Sequence, residues 1–218
     1  MKKLFALAAL VLGLAACQTE PEGLDVNVGG EVDTTITVSL PETTRAESAL
    51  GAFDNVDLDV YTIRYILQVY YNGIPSQERL VKYSDDNNVT FDVRLVPGRD
   101  YNFVVWADLV RGNNFQENVW SNEDGLHYNT TDLHNITLKQ TWVAMDETRD
   151  AFTGYFNTAD GDKRYSAGLP INITLTRPFA KLRVITTDMV ELGNLGIEPH
   201  NAVATYTTAH YSTFNACN

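Results

Sequence analysis

Apolar and polar residues alternate with a period of two along much of this chain, which is the pattern of a half-buried β-strand. The clearest run covers residues 31–40. The residues on one face of this run are Val32, Thr34, Ile36, Val38 and Leu40. Residues 55–73 alternate again, carry β-branched and aromatic residues throughout and stop at Asn72 and Gly73. They predict a long strand or a pair of strands, with Val56, Leu58, Val60 and Thr62 on one parity.

Seven further strand candidates follow at intervals marked by Gly, Pro and Asn. They are residues 78–84, 88–96, 100–110, 134–140, 171–178, 180–189 and 202–211. Pro97, Gly98 and Arg99 form a tight-turn signal, which predicts a hairpin between 88–96 and 100–110. Repeated short strands with almost no helical periodicity predict an all-β fold, an antiparallel β-sandwich.

The less regular segments carry weaker predictions. Residues 145–152 and 194–199 are the two places where a short helix is expected. Residues 111–133 and 141–168 are polar and irregular, which predicts long loops with small strands.

The N-terminus has the three parts of a secretory signal. Lys2 and Lys3 precede an apolar run, 4–14, that is too short to span a bilayer, which takes about 20 apolar residues. The run closes in "LAAC", which resembles a bacterial lipobox, so residues 1–16 are predicted to be removed and Cys17 to be lipidated. The alternative is an ordinary signal peptide with a chance cysteine. Residues 17–30 have the composition of a flexible acidic tether.

The net charge of the chain limits the classes of partner that it is expected to bind. The chain carries a net charge of −12, and removal of residues 1–16 leaves 14 basic and 28 acidic side chains, a net charge of −14. Such a surface repels nucleic acid and anionic lipid head groups, so the lipid anchor alone is expected to hold the membrane. Cys217 is the other cysteine, and with Cys17 acylated it has no intramolecular partner, so no disulfide is expected.

The domain organisation is predicted from the same pattern. Residues 31–187 form one N-terminal β-sandwich domain. Residues 188–218 break off within a strand-like pattern, which predicts the start of a second, truncated β domain. A natural terminal strand is the alternative.

The order of these features resembles the fimbrillins, pilin-like surface lipoproteins of Bacteroidota. The shared features are the lipobox at Cys17, the acidic tether, the strand ending in a loop with Arg45, "VPGRDYNFVVWAD" at 96–108 and "RPFAKLRV" at 177–184. The resemblance implies a transthyretin-like β-sandwich exposed on the outer membrane, acting as a fimbrial subunit, pilus accessory or adhesin.

The resemblance also implies a processing site. In polymerising members an arginine-specific protease cuts at a loop arginine, and the groove left by the N-terminal strand accepts a strand from the next subunit. On this chain the cut would fall between Arg45 and Ala46, and residues 32–40 would be lost. The alternative is that Arg45 is a solvated loop charge and 32–40 a permanent strand.

No constellation of catalytic residues stands out. The histidines His127, His134, His200 and His210 occur singly and are expected to be solvated or in strands, without metal-pair spacing. Residues 157–164 approach a Ca²⁺ loop but lack its distal acid, so an Asp-Gly turn is expected. The sequence therefore predicts a non-enzymatic protein with no metal and no cofactor, the weaker alternative being a hydrolase with scattered carboxylates.

Tryptophans suggest a second class of function. Trp106 lies in a strand and is expected in the core, whereas Trp120 and Trp142 lie in irregular segments. Exposed aromatic faces stack on sugars, so Trp120 and Trp142 are candidate contacts of a glycan-binding surface module. The alternative is that all three pack in the sandwich.

Overall fold

The computed structural model describes residues 30–41, 53, 56–112, 116–119, 125–140, 146–159, 164–179, 187–198, 205, 207 and 213–217. Its strands are β1 (Val32–Ser39), β2 (Tyr61–Tyr71), β3 (Ile74–Pro75), β4 (Leu80–Ser84), β5 (Asn88–Leu95), β6 (Tyr101–Arg111), β7 (Tyr128–Asn129), β8 (Ile136–Leu138), β9 (Phe152–Asn157), β10 (Ile171–Thr174) and β11 (Thr213–Phe214). A six-residue helix, α1 (Met189–Asn194), and a 3-10 turn at Glu147–Arg149 are the helical parts of the described residues. The fold is all-β, as the alternation predicts.

The strands form three sheets. The outer sheet has the order β10-β1-β5, and the central sheet has the order β3-β2-β6-β9 with β4 also paired to β2. The capping sheet is small and has the order β11-β8-β7. The pairs are antiparallel as predicted, except that β1 and β10 run parallel. A parallel pair needs a long crossover, which the long stretch of chain between β1 and β10 supplies.

The main core lies between the outer and central sheets. Alternate residues of β1 point into it, so the face predicted from the sequence is confirmed. Large side chains from both sheets fill it: Ile36, Val38, Phe91, Leu95 and Ile171 from the outer sheet, and Tyr65, Leu67, Phe103, Val105 and Phe152 from the central sheet. The two sheets therefore pack face to face as a sandwich.

The other face of the central sheet is also buried. Ile66, Val104 and Trp106 point away from the main core and pack under the capping sheet and its loops. The covering residues include Tyr128, Leu133, Ile136, Phe179 and Phe214. Trp106 is fully buried, which confirms it as a core residue. β2 and β6 are thus covered on both faces, which explains why their sequences are apolar on both parities.

The predicted hairpin at 97–99 is wrong. β5 pairs with β1 in the outer sheet, whereas β6 pairs with β2 and β9 in the central sheet. The turn therefore crosses from one sheet to the other. Pro97, Gly98 and Arg99 can form a tight turn whether the two strands pair in one sheet or lie in different sheets. The inward faces of β5 and β6 pack against each other across the core instead of pairing side by side.

Residues 56–60 form turns, so the strand predicted over 55–73 begins only at Tyr61. The Asp57 carboxylate accepts a hydrogen bond from the Asp59 amide at 3.0 Å, a local bond that competes with strand pairing. The end of that strand at Asn72 and Gly73 is confirmed, because β3 folds back onto β2 there.

The two helix predictions differ in outcome. The 3-10 turn at Glu147–Arg149 lies inside 145–152, with the Asp146 carboxylate accepting from the Thr148 amide at its start. The helix α1 overlaps the predicted 194–199 only at Asn194, and Met189, predicted to end a strand, starts this helix instead. Gly196, at φ 71°, follows its last turn, a backbone conformation suited to ending a helix.

The outer and central sheets approach closely along the β9–β10 side. The Thr153 and Thr176 backbones exchange hydrogen bonds of 2.9 and 2.8 Å between the sheets. Gly154 of β9 permits the approach, because a Cβ there would lie 2.6 Å from side-chain atoms of Ile173 and Leu175. β10 is therefore held on the central sheet as well as beside β1.

Residues 213–217 pack on the central sheet. β11 pairs with β8, and the Ala216 amide donates to the Leu133 carbonyl at 2.8 Å. The predicted signal peptide, 1–16, lies outside the described residues, and so does the predicted tether, 17–30, apart from Gly30. The division into 31–187 and 188–218 stays a prediction.

Candidate functional site

The strand β1 occupies the middle of the outer sheet, between two strands that are distant in sequence. It is in antiparallel register with β5 from Val32↔Leu95 to Ser39↔Asn88. On its other side it runs parallel to β10 from Ile36↔Ile171 to Ser39↔Thr174. The backbone bonds continue past the strand, since Leu40 N donates to Asn87 O at 2.9 Å.

We call the space that β1 fills, between β5 and β10 and above the central sheet, the β1 groove. Ile36 and Val38 are fully buried in it and Leu40 is 3 % exposed. The wall on the β5 side consists of Val89, Phe91, Val93 and Leu95, and that on the β10 side of Ile171, Ile173 and Leu175. The groove thus takes alternate apolar side chains from an extended strand.

The outward face of β1 is polar. Thr35 donates to an Asp92 oxygen at 2.7 Å, and Arg94 lies 3.6 Å from an Asp33 oxygen. Both groups of that ion pair are largely exposed, so it contributes little to stability. Backbone hydrogen bonds and inward side chains, rather than specific surface charges, therefore hold β1 in place.

One polar contact interrupts the apolar lining of the β1 groove. The Thr34 hydroxyl is hydrogen-bonded to the Tyr165 hydroxyl, and both residues are buried. Residue 165 lies in a segment that the sequence pattern assigns to a loop, 131 positions along the chain from Thr34. No local pattern indicates this pairing.

The site residues predicted from the sequence lie outside the described part of the chain. These are Cys17, Arg45, Ala46, Trp120 and Trp142. Lipidation, processing and glycan contact therefore stay predictions, and no observation on the described residues favours the glycan-binding alternative. β1 is connected to the rest of the described sandwich through residues 42–60, so a break between Arg45 and Ala46 would leave it held without a covalent link to β2.

A buried ion pair lies on the opposite face of the central sheet. Arg64 of β2 is directly opposite Asp108 of β6, and its Nε and Nη2 donate to the two carboxylate oxygens at 2.8 and 2.7 Å. Nη2 also lies 3.3 Å from the Thr130 hydroxyl, beneath the cap. The signal available in the sequence is one basic residue within β2 and one acidic residue within β6, each with apolar residues on either side of it.

His127, expected to be solvated, is buried, so that prediction is wrong. It is 8 % exposed because the capping segment folds over the central sheet. Its Nε2 lies 2.8 Å from the Thr148 hydroxyl, which itself donates to Asp146 at 2.5 Å. Nε2 therefore carries the proton and donates, and the histidine is not placed to take a proton from Thr148.

Burial, and then the charge of Arg149, lower the pKa of His127, while Asp146 and Asp108 oppose them. Burial alone would raise the pKa of Asp146, but hydrogen bonds from Thr148 and the nearby His127 hold it below its ordinary value. Burial raises the pKa of the Cys217 thiol to about 11, so this cysteine is a poor nucleophile.

We expect His127 to make the protein less stable as the pH falls below the ordinary histidine pKa of 6.5. Unfolding restores that pKa, so in this range the unfolded chain binds a proton that the folded chain does not. Stability is retained above pH 6.5 and lost progressively below it. Urea midpoints at about pH 7.5 and about pH 5 measure the effect, and H127Q should show a smaller difference between them. An equal difference in H127Q would contradict this assignment.

Two further features bear on chemistry. Within the described ranges, no group of three or more His, Cys, Asp and Glu side chains is arranged to hold a metal ion. In the same part of the chain, no helix has the length and apolar character needed to cross a bilayer.

Comparison with known proteins identifies a family for the chain. Residues 25–218 match the sequence model of a family of unknown function, DUF6562. No curated protein and no solved structure matches the chain. The match covers all of the described strands, and the description of the family assigns no activity.

Proposed function

The chain belongs to the DUF6562 family of unknown function, and we propose that it is a non-enzymatic surface lipoprotein of fimbrillin type. In this proposal Cys17 is lipidated and anchors the protein in the outer membrane. The folded domain serves as a fimbrial subunit, pilus accessory or adhesin that joins to other subunits by exchange of β1. The observation that carries the proposal is the position of β1 between β5 and β10.

The geometry of β1 supports exchange because its bonds are of a kind that another strand can supply. It pairs by backbone hydrogen bonds with both neighbours and inserts alternate side chains, of which Ile36, Val38 and Leu40 are the apolar ones. Strand addition of this type takes affinity from the backbone and specificity from pockets for alternate side chains. An extended segment with the same alternation would therefore fit.

Loss of β1 would leave an apolar groove in which the binding of another extended strand is favourable. Each buried Val, Leu or Ile side chain contributes about 1.5–3 kcal/mol relative to an exposed one. The edges of β5 and β10 that face β1 would also lose their partners, and unpaired strand edges recruit other strands. This is the physical basis for joining one subunit to the next.

The core beneath the capping sheet supports the same proposal. Its described residues come from β2, β4, β6, the capping sheet with its loops, and 213–217, together with Ala151 and Phe179, and none of them comes from β1. The central sheet would therefore keep one of its two buried faces when β1 leaves. A scaffold of that kind can stay folded long enough to accept a replacement strand.

The test uses the mature chain with Cys17→Ser, to avoid the lipid, and with a site for a sequence-specific protease in place of residues 43–48. After cleavage, a labelled peptide of residues 30–41 should enter the protein and displace β1, as followed by mass spectrometry under native conditions. Uncleaved protein should take up little peptide. A peptide with Ile36→Asn and Val38→Asn is the matched control and should not enter.

Failure of the labelled peptide to enter cleaved protein, also at mildly denaturing urea, would refute strand exchange. In cells, mature protein in a polymerised fraction should begin at Ala46. A lipidated Cys17 on every recovered copy would remove processing at Arg45 but would leave the anchor.

A further inference from the structure

Among the described residues, Tyr165 places a buried hydroxyl against β1 in the mainly apolar lining of the β1 groove. Tyr165 is 1 % exposed. Among the described residues, the hydrogen bond of its hydroxyl is to Thr34 of β1. The Thr34 hydroxyl also donates to the Val32 carbonyl at 3.3 Å, and either hydroxyl can be the donor in the bond between Thr34 and Tyr165.

Tyr165 is held in position by residues that do not belong to β1. Its amide donates to the Arg99 carbonyl at 2.9 Å, and its carbonyl accepts from the Gly98 amide at 2.8 Å. Its ring meets the Tyr101 ring edge to face at 6.1 Å, and the Tyr101 hydroxyl accepts from the Val96 amide at 3.0 Å. The crossing turn between the outer and central sheets therefore places this hydroxyl, whichever strand fills the groove.

Alternation alone does not determine the register of a strand in this groove. A shift by one residue would turn Thr35 and Thr37 inward and is excluded by the apolar lining. A shift by two residues keeps the parity and is not excluded in this way. It would place Val32 or Ile36 at Tyr165, and the buried hydroxyl would lose its partner, which is unfavourable.

We propose that Tyr165 is a specificity-determining residue of the β1 groove. It requires Ser or Thr at the position facing it, followed by apolar residues two, four and six positions further along the strand. In this way it sets the register of β1, and, resting on the proposed exchange of β1, it also selects the donor strand of another subunit. The partner is thus an extended segment with one hydroxyl and three apolar side chains on the same face.

The first experiment tests the hydroxyl requirement in the intact chain, without any exchange. T34V replaces the hydroxyl by a methyl group of similar size, and urea unfolding should show a roughly tenfold larger unfolding equilibrium constant. In a Y165F background the same change should have less than about a twofold effect, because no hydroxyl is left unpaired. T35V, the same substitution on the exposed face, is the matched control: it removes the exposed hydrogen bond to Asp92 and should have the same effect in both backgrounds, because Thr35 does not contact Tyr165.

The second experiment repeats the comparison with peptides on cleaved protein. The 30–41 peptide with Thr34→Val should bind roughly tenfold more weakly than the unchanged peptide to the Tyr165 protein, and equally well to Y165F. The unchanged peptide and one with Thr34→Ser should both bind.

The outcomes separate the two proposals. Equal effects of T34V in the intact Tyr165 protein and in the intact Y165F variant would overturn the role of Tyr165. If T34V destabilises the Tyr165 protein more than the Y165F variant, and no peptide enters cleaved protein, the selection of β1 by Tyr165 is supported and strand exchange is refuted. If peptides enter irrespective of the hydroxyl, exchange stands and selection of the donor by Tyr165 is refuted.

Discussion

Replacing Asp108 by asparagine should lower the free energy of unfolding by about 3–5 kcal/mol, because it leaves a buried guanidinium without the carboxylate that balances its charge. The side chains of Arg64 and Asp108 are 0 % and 2 % exposed. They lie opposite each other on β2 and β6, with two charge-assisted hydrogen bonds between them. Asparagine keeps the shape of the side chain, so the loss measures the charge rather than a cavity.

The matched control removes both charges. R64M/D108L fills a similar volume with apolar atoms, and such replacements of a whole buried pair are often neutral or stabilising. Urea midpoints of the wild type, D108N and the double variant give the comparison. A double variant as unstable as D108N would show that the pair itself, and not an unbalanced charge, is what the fold needs.

Replacing Trp106 by alanine should destabilise the protein by about 3–5 kcal/mol, the cost of removing a large aromatic side chain from a packed interior. Trp106 is fully buried beneath the cap. Its ring lies 5.3 Å from the Tyr128 ring and 5.9 Å from the Phe214 ring. Its side chain therefore connects the central sheet both to the capping sheet, through Tyr128, and to residues 213–217, through Phe214.

W106F is the control for this substitution. Within the described residues, Trp106 Nε1 has no hydrogen-bond partner, so phenylalanine removes no bond and leaves a smaller cavity. It should therefore cost less than W106A, as measured by the same urea midpoints. A loss below about 1 kcal/mol in W106A would contradict the packing of the cap on the central sheet.

These two variants also bear on strand exchange. Arg64, Asp108 and Trp106 all lie on the face of the central sheet that β1 does not touch. We therefore expect the second face to be a source of stability that remains when β1 leaves. A protein built from the outer and central sheets alone would lose its whole core with the same step.

Much of the strand content follows from the sequence. β1, β4, β5 and β6 lie where alternation predicts them, because alternating side chains on a pleated strand repeat every second residue whatever the strand pairs with. The hairpin predicted at 97–99 is wrong because, unlike alternation, the pairing of a strand does depend on its partner. A turn signal says that the chain reverses, but not whether the two strands pair in one sheet or pack across a core.

The second buried face has a signal in the sequence that alternation alone does not interpret. Ile66 and Trp106 stand on the parity that a one-sided strand would leave polar, beside Arg64 and Asp108. Apolar residues on both parities indicate burial on both faces. The pairing of the two charges depends on the register of β2 against β6, which is set by contacts far apart in the chain.

The residues of the candidate site also differ in whether the sequence predicts them. The predictions of lipidation at Cys17 and of processing at Arg45 rest on short segments of sequence, and both residues lie outside the described residues. The sequence identifies Thr34 as a member of an alternating face, but no pattern near residue 165 predicts the contact between Tyr165 and Thr34.

By itself the sequence determined where β1, β4, β5 and β6 lie and which face of β1 points inward, since both depend on side-chain periodicity along a few neighbouring residues. Only the tertiary structure decided that β1 lies between β5 and β10, that the central sheet is buried twice, and that Tyr165 faces Thr34. Those features depend on which distant segments meet, and the free energy that selects them comes from contacts between segments rather than from any one of them.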